Sequence, residues 1–126
     1  MAPKPVSQPL WLRWLCLALA AMMTFQLFQV GSQPVAAGLI PEPWDKLAHF
    51  ATYSVITGLA WVGTAGRMPL AVIAAIVAVG AFDELHQGSI PGRVADAADF
   101  LVDVCAAVST GAVMLLHDSR RRSDDA

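Results

Sequence analysis

Four long apolar runs, separated by short links that carry the turn-forming residues, set what this chain can fold into. They extend approximately over Leu10 to Val30, Lys46 to Gly63, Pro69 to Gln87 and Asp96 to His117. A hydrocarbon core about 30 Å thick takes roughly 20 helical residues to cross, and each run is near that length. The composition agrees: 56% of residues are hydrophobic and 14% charged, against about a quarter charged in a soluble domain. The expected fold is all-α, an integral membrane four-helix bundle forming one domain over residues 10–117. The links "GSQPVAAGLIPEPW", "TAGRM" and "GSIPGRVA" are short and rich in breakers, so successive helices should be antiparallel neighbours. Residues 1–9 form a short leading segment, and the polar tail "DSRRRSDDA" over 118–126 is expected to be disordered.

Cations set the expected orientation, because cytoplasmic flanks are enriched in lysine and arginine. Lys4 and Arg13 lie near the start, Arg67 in the second link, and Arg120, Arg121 and Arg122 in the tail. Four spans put all three groups on one side, so both termini are expected in the cytoplasm of a bacterial cell, with the chain in its inner membrane. A competing reading makes the first run a cleaved signal peptide, since "PVAAG" places small residues at Val35 and Ala37. The length of the run and Pro34 favour a retained span. The formal net charge of -2 leaves no cationic excess for a nucleic-acid backbone. A membrane lipid or lipidated ligand is the expected partner, and self-association is left open. Cys16 and Cys105 sit inside apolar runs without a partner at redox or ligand spacing, and both should be buried small hydrophobes. No cofactor and no metal are expected: there is no His-Glu-x-x-His, and His49, His86 and the carboxylates that could act as ligands come from three different helices.

The ionisable residues within the runs gather towards the opposite, outer end. Asp45, His49 and Tyr53 recur every four residues; Asp96, Asp99 and Asp103 recur at three and four; Asp83 and Glu84 each lie one turn from Gln87. Each set therefore forms one stripe. A charge at the bilayer centre costs about 2.5–3.5 kcal/mol on insertion scales, so the stripes should face the bundle interior. Some of these residues have bland roles. Asp45 and Asp96 suit helix N-caps, Lys46 can snorkel to the head groups, His49 can bond a carbonyl, His86 can be exposed at a helix end, and the Tyr53 hydroxyl can be satisfied where the ring packs. Asp83 and Glu84 are different, because acids at a helix C-terminus oppose its dipole by roughly 0.3–1 kcal/mol. Asp103 is about 10 Å below Asp96, too deep for a cap. Arg93 is the nearest cation in sequence and is expected to pair with Glu84 through its planar fork. An ion-pair network that only holds helix ends together would account for the same residues.

The set "DKLAHF", "DELHQGSIPGR" and "DAADFLVD" resembles the VanZ-like family of small bacterial membrane proteins. Its pattern falls on Asp45, Lys46 and His49, on Glu84 and Gln87, on Arg93 after Pro91 and Gly92, and on Asp99, over Asp45 to about Thr110. Two positions depart from it. Asp103 stands where asparagine is usual, and Ala106 where glycine is. The first run carries no family motif. The resemblance implies a membrane binding or envelope-modifying protein, since the family's namesake is associated with resistance to teicoplanin, a glycopeptide with a lipid tail. On this reading Asp45, Lys46, His49, Glu84, Gln87, Arg93, Asp99 and Asp103 line an outward polar pocket for a lipid-anchored amphiphile, an antibiotic or an envelope lipid precursor. Glu84 and Arg93 form its central pair, and Asp99 orients Arg93. The alternatives are an acid/base hydrolase or transferase, for which Ser89 lacks a nucleophile elbow, and a proton-coupled carrier using Glu84, Asp99 and Asp103.

Overall fold

The computed structural model describes residues 8–36 and 38–124. Lys4, Ala37 and the last two residues of the tail lie outside the described residues. Four helices follow in order, α1 (Leu10–Gly31), α2 (Trp44–Thr64), α3 (Pro69–Gly88) and α4 (Ala97–Asp124), with a 3-10 turn at Pro34–Ala36 between the first two. No strand occurs among the described residues. Proline marks the starts: Pro9 precedes α1, Pro43 precedes α2, and Pro69 opens α3, where its missing N–H has no intrahelical partner to lose.

The disorder expected over 118–126 is corrected for residues 118–124. α4 runs on through Asp124, because extending an existing helix adds a hydrogen bond for each residue fixed, arginine is a good helix former, and cations suit a helix C-terminus.

Side-chain ties show the helices to be antiparallel neighbours. At one end Arg13 Nε donates to the Gly63 carbonyl at 3.1 Å, and Trp61 Nε1 donates to Asp118 Oδ2 at 3.0 Å. At the other end Lys46 and His49 of α2 reach Asp99 and Asp103 of α4. α2 packs most extensively on α4 and α1, and α3 closes against α4.

The burial pattern is inverted relative to a soluble bundle. Tyr53, Ile56, Trp61, Ile76, Ala106 and Ala107 are buried, but so are Thr57, Asp83, Glu84, Gln87, Asp99 and Asp103. Large apolar side chains, among them Trp11, Phe25, Phe50, Leu70, Phe82, Leu101 and Val113, stand on the outside. An exterior this apolar suits hydrocarbon and not water. α1, α3 and α4 are long and apolar enough to cross a membrane. α2 has a matching length but is less apolar, since it carries Lys46, His49, Tyr53, Ser54 and Thr57. Several hydroxyls within the helices turn back on their own backbone, as in Thr57 to the Tyr53 carbonyl at 2.7 Å and Thr24 to the Ala20 carbonyl at 2.9 Å. Cys16 is buried as expected, whereas Cys105 faces outward.

Candidate functional site

The end of the bundle formed by the C-termini of α1 and α3 and the N-termini of α2 and α4 collects nearly every ionisable side chain of the stripes. Lys46 is at its rim. Its Nζ lies 3.1 Å from Asp99 Oδ1, 3.3 Å from Asp96 Oδ2, 3.3 Å from Glu42 Oε1 and 3.7 Å from Asp45 Oδ2. It binds α2 to α4 and does not snorkel away from the bundle. Asp96 is the N-cap of α4, with Oδ1 accepting from the Ala98 amide at 2.8 Å. That amide, and then Lys46, hold the Asp96 carboxyl below its ordinary value. Asp45 lies inside the first turn of α2 and is not its cap; Oδ1 accepts from the Lys46 amide at 2.8 Å.

His49 and Asp103 form a deeper layer. His49 Nδ1 and Asp103 Oδ1 share a hydrogen bond of 3.0 Å, and His49 Nε2 is 3.9 Å from Asp99 Oδ2. The Tyr53 ring stacks on the imidazole, with centroids 6.2 Å apart and planes at 8°. Gly80 of α3 admits this layer, since a Cβ there would meet Asp103 Oδ2 at 3.1 Å and the Tyr53 ring at 3.5 Å. Gly80→Val should therefore lower stability by about 1–3 kcal/mol through overpacking. Gly58→Val, at a position with nothing within 4 Å of a Cβ, should not. Thermal unfolding of the two variants in detergent, followed by helical signal, separates them.

Arg93 and Glu84 do not form the expected pair. Arg93 Nη1 donates to the Gly31 carbonyl at 2.9 Å, Arg93 Nη2 donates to Gln87 Oε1 at 2.8 Å, and Gln87 Nε2 donates to Asp83 Oδ2 at 2.9 Å. Glu84 Oε2 instead accepts from the Asp96 amide at 2.7 Å. Asp99 serves Lys46 and His49 and does not orient Arg93. Gly92, with φ of +84°, makes the turn before Arg93. From there the guanidinium reaches the last turn of α1, where backbone carbonyls lack intrahelical partners. Gly31 is a contact of the cluster that sequence reasoning missed, and so is Ser32, whose Oγ lies 2.8 Å from His86 Nε2. His86 is thus engaged, where exposure was expected. A backbone carbonyl leaves no side-chain signature, and the only cue was the breaker group "GSQP" at the end of α1.

Five buried polar atoms have no hydrogen-bond partner among the described residues: Tyr53 Oη, Ser54 Oγ, Asp83 Oδ1, Glu84 Oε1 and Asp103 Oδ2. All but Ser54 belong to the cluster. Leaving such groups unpaired costs about 1–3 kcal/mol each, and more where charged. The arrangement therefore holds unused acceptor capacity at its centre. His49, Glu84 and Asp103 each bring a potential ligand atom within 4.8 Å of the others.

Beside the cluster runs an open, mainly apolar groove of about 370 Å³ between the end of α3 and the start of α4, lined by Leu85, Ala95, Ala97 and Phe100, with Glu84 and Asp96 as its polar members. Glu84 thus belongs to both features. Ser89, the one hydroxyl weighed as a nucleophile, is exposed and donates to the His86 carbonyl at 2.6 Å.

A family model described as VanZ/LLP1 matches residues 7–116. The match takes in α1, for which the sequence offered no motif. No curated protein and no solved structure matches the chain.

Proposed function

The chain belongs to the VanZ/LLP1 family, and from that premise we propose that this membrane protein binds a lipid-anchored amphiphile at the polar end of its bundle. The tail lies in the groove along Leu85, Ala97 and Phe100, and the head group meets Glu84. One observation carries this reading: Glu84 lies at the boundary between the apolar groove and the polar cluster, with one oxygen fixed by the Asp96 amide and the other unpartnered. A lipoglycopeptide antibiotic or an envelope lipid precursor has the required combination of tail and head.

We place the protein in the bacterial inner membrane with α2 as a fourth span, both termini in the cytoplasm and the cluster outward. Arg13, Arg67 and Arg120 to Arg122 all belong to the opposite end of the bundle, which supports this orientation. The exposed Trp11 and Trp14 at that end and Trp44 at the cluster end suit the two membrane–water interfaces.

The test is binding of a fluorescent lipidated glycopeptide to the purified full chain in micelles, beside the same glycopeptide without its acyl chain. The lipidated form should bind at least tenfold more tightly, and Ala97→Phe, which fills the groove while leaving every side chain of the cluster unchanged, should remove most of that difference. Equal binding of both compounds, or an unaffected Ala97→Phe variant, would sink the proposal.

A further inference from the structure

We infer that His49, Glu84 and Asp103 form a binding site for a divalent transition-metal ion such as Zn²⁺ or Mn²⁺, held between α2, α3 and α4. The three side chains come from three helices and place their ligand atoms within 4.8 Å of one another. A second observation points the same way. Asp103 is wholly buried and Glu84 is 6% exposed, yet Asp103 Oδ2 and Glu84 Oε1 have no partner among the described residues. Both belong to the same place. Asp103 Oδ2 faces Gly80 of α3, 3.1 Å from where a Cβ would stand, and Glu84 follows one turn later on that face.

The charges nearby leave room for a cation. Lys46 is taken up by Asp96, Asp99, Glu42 and Asp45 at the rim, and Arg93 by the Gly31 carbonyl and Gln87. Neither reaches Glu84 or Asp103, so among the described residues His49 is the sole basic side chain against this pair. A divalent ion with two carboxylates and a neutral imidazole closes the balance without removing any existing tie of Lys46 or Arg93. One nitrogen and two oxygens form a donor set suited to zinc or manganese; calcium and magnesium favour all-oxygen sites. His49 also has an outer partner. With Nδ1 turned to the ion, Nε2–H points to Asp99, now 3.9 Å away, the carboxylate–histidine–metal arrangement that fixes tautomer and ring orientation. Ligands about 2.1 Å from a tetrahedral ion stand roughly 3.4 Å apart, so ion binding draws the side chains inward by about 1 Å. Three protein ligands leave a coordination position open, and Glu84 puts the ion beside the groove. The site rests on side-chain geometry, so metal binding and amphiphile binding are measured separately.

The experiment titrates chelator-stripped full chain in detergent with Mn²⁺, following free ion by electron paramagnetic resonance, and with Co²⁺ by visible absorption. One ion per chain should bind at micromolar concentrations, and Glu84→Gln and Asp103→Asn should each weaken it at least tenfold. Asp118→Asn, at the opposite end of the bundle, should bind as wild type does. Wild-type protein that takes up no stoichiometric ion, or folded acid variants with unchanged affinity, would overturn the site. Should the acid variants fail to insert, a His86→Ala, His117→Ala double variant leaves His49 as the only imidazole among the three histidines. Pulsed resonance on its bound ion must then show one imidazole nitrogen, and an ion without that coupling overturns the assignment equally.

Discussion

Exchanging His49 for leucine should destabilise the metal-free bundle by about 3–5 kcal/mol, the cost of leaving one member of a buried pair uncompensated. The Asp103 side chain is fully buried, and the 3.0 Å contact with His49 is its one hydrogen bond among the described residues. Leucine fills much of the imidazole's volume, so the loss reports the pairing more than a cavity. A second substitution reveals the cause. Asp103→Leu in the same chain removes the stranded carboxylate, and replacing both partners of a buried pair with apolar residues is often neutral or stabilising. The double variant should therefore recover most of what the single variant loses. Reversible unfolding in mixed micelles measures both. A single variant as stable as wild type would mean that the pair contributes no cohesion, and a double variant no better than the single would assign the loss to packing against Tyr53.

Glu84→Gln and Arg93→Gln should part company, although on sequence grounds they were expected to act as one pair. Arg93 makes two charge-assisted bonds, to the Gly31 carbonyl and to Gln87. Bonds of that kind are worth about 1.5–3 kcal/mol each, and glutamine can restore at most part of one, so Arg93→Gln should lose about 2–4 kcal/mol. Its level in the membrane fraction should fall. Glu84→Gln keeps an acceptor for the Asp96 amide and removes a charge from a buried site, so its level should hold. What it should lose is function. In cells challenged with lipidated and non-lipidated glycopeptides, Glu84→Gln should forfeit protection against the lipidated compound while remaining inserted. Equal loss of level in both variants would restore the view of a single structural unit, and full protection by Glu84→Gln would show the head group to be held elsewhere.

Much of the fold was legible because bilayer thickness and helix-breaking residues act locally. The bounds expected for the first three helices lie within two residues of those observed, each set by proline or glycine next to a run of the right length. The end of α4 was not legible from apolarity, because backbone hydrogen bonding and the helix preference of its arginines, neither of which hydropathy reports, carry that helix past His117. Within the site, the stripes were readable for the same local reason: a four-residue period puts Asp45, His49 and Tyr53 on one face whatever surrounds them. Pairing was not readable. The partner of Arg93 depends on the direction in which the Gly92 turn releases the chain, and that partner is a backbone carbonyl on α1, some sixty positions earlier. Lys46 shows the same limit. Its attraction to Asp96 and Asp99 comes from how α2 meets α4, while the sequence shows only a lysine near a membrane surface.

The length of α4 has a mechanical consequence. Its 28 residues make a rod of about 42 Å, some 12 Å longer than a typical hydrocarbon core, and no proline interrupts it. One tip carries Asp99 and Asp103; the other overhangs by about two turns, bearing Arg120, Arg121 and Arg122. A helix that moves as one rod cannot tilt at one tip alone. Moving so, a displacement at the acidic tip would sweep the arginine tip through the head-group layer on the far side, and a single lever would join the two faces of the membrane.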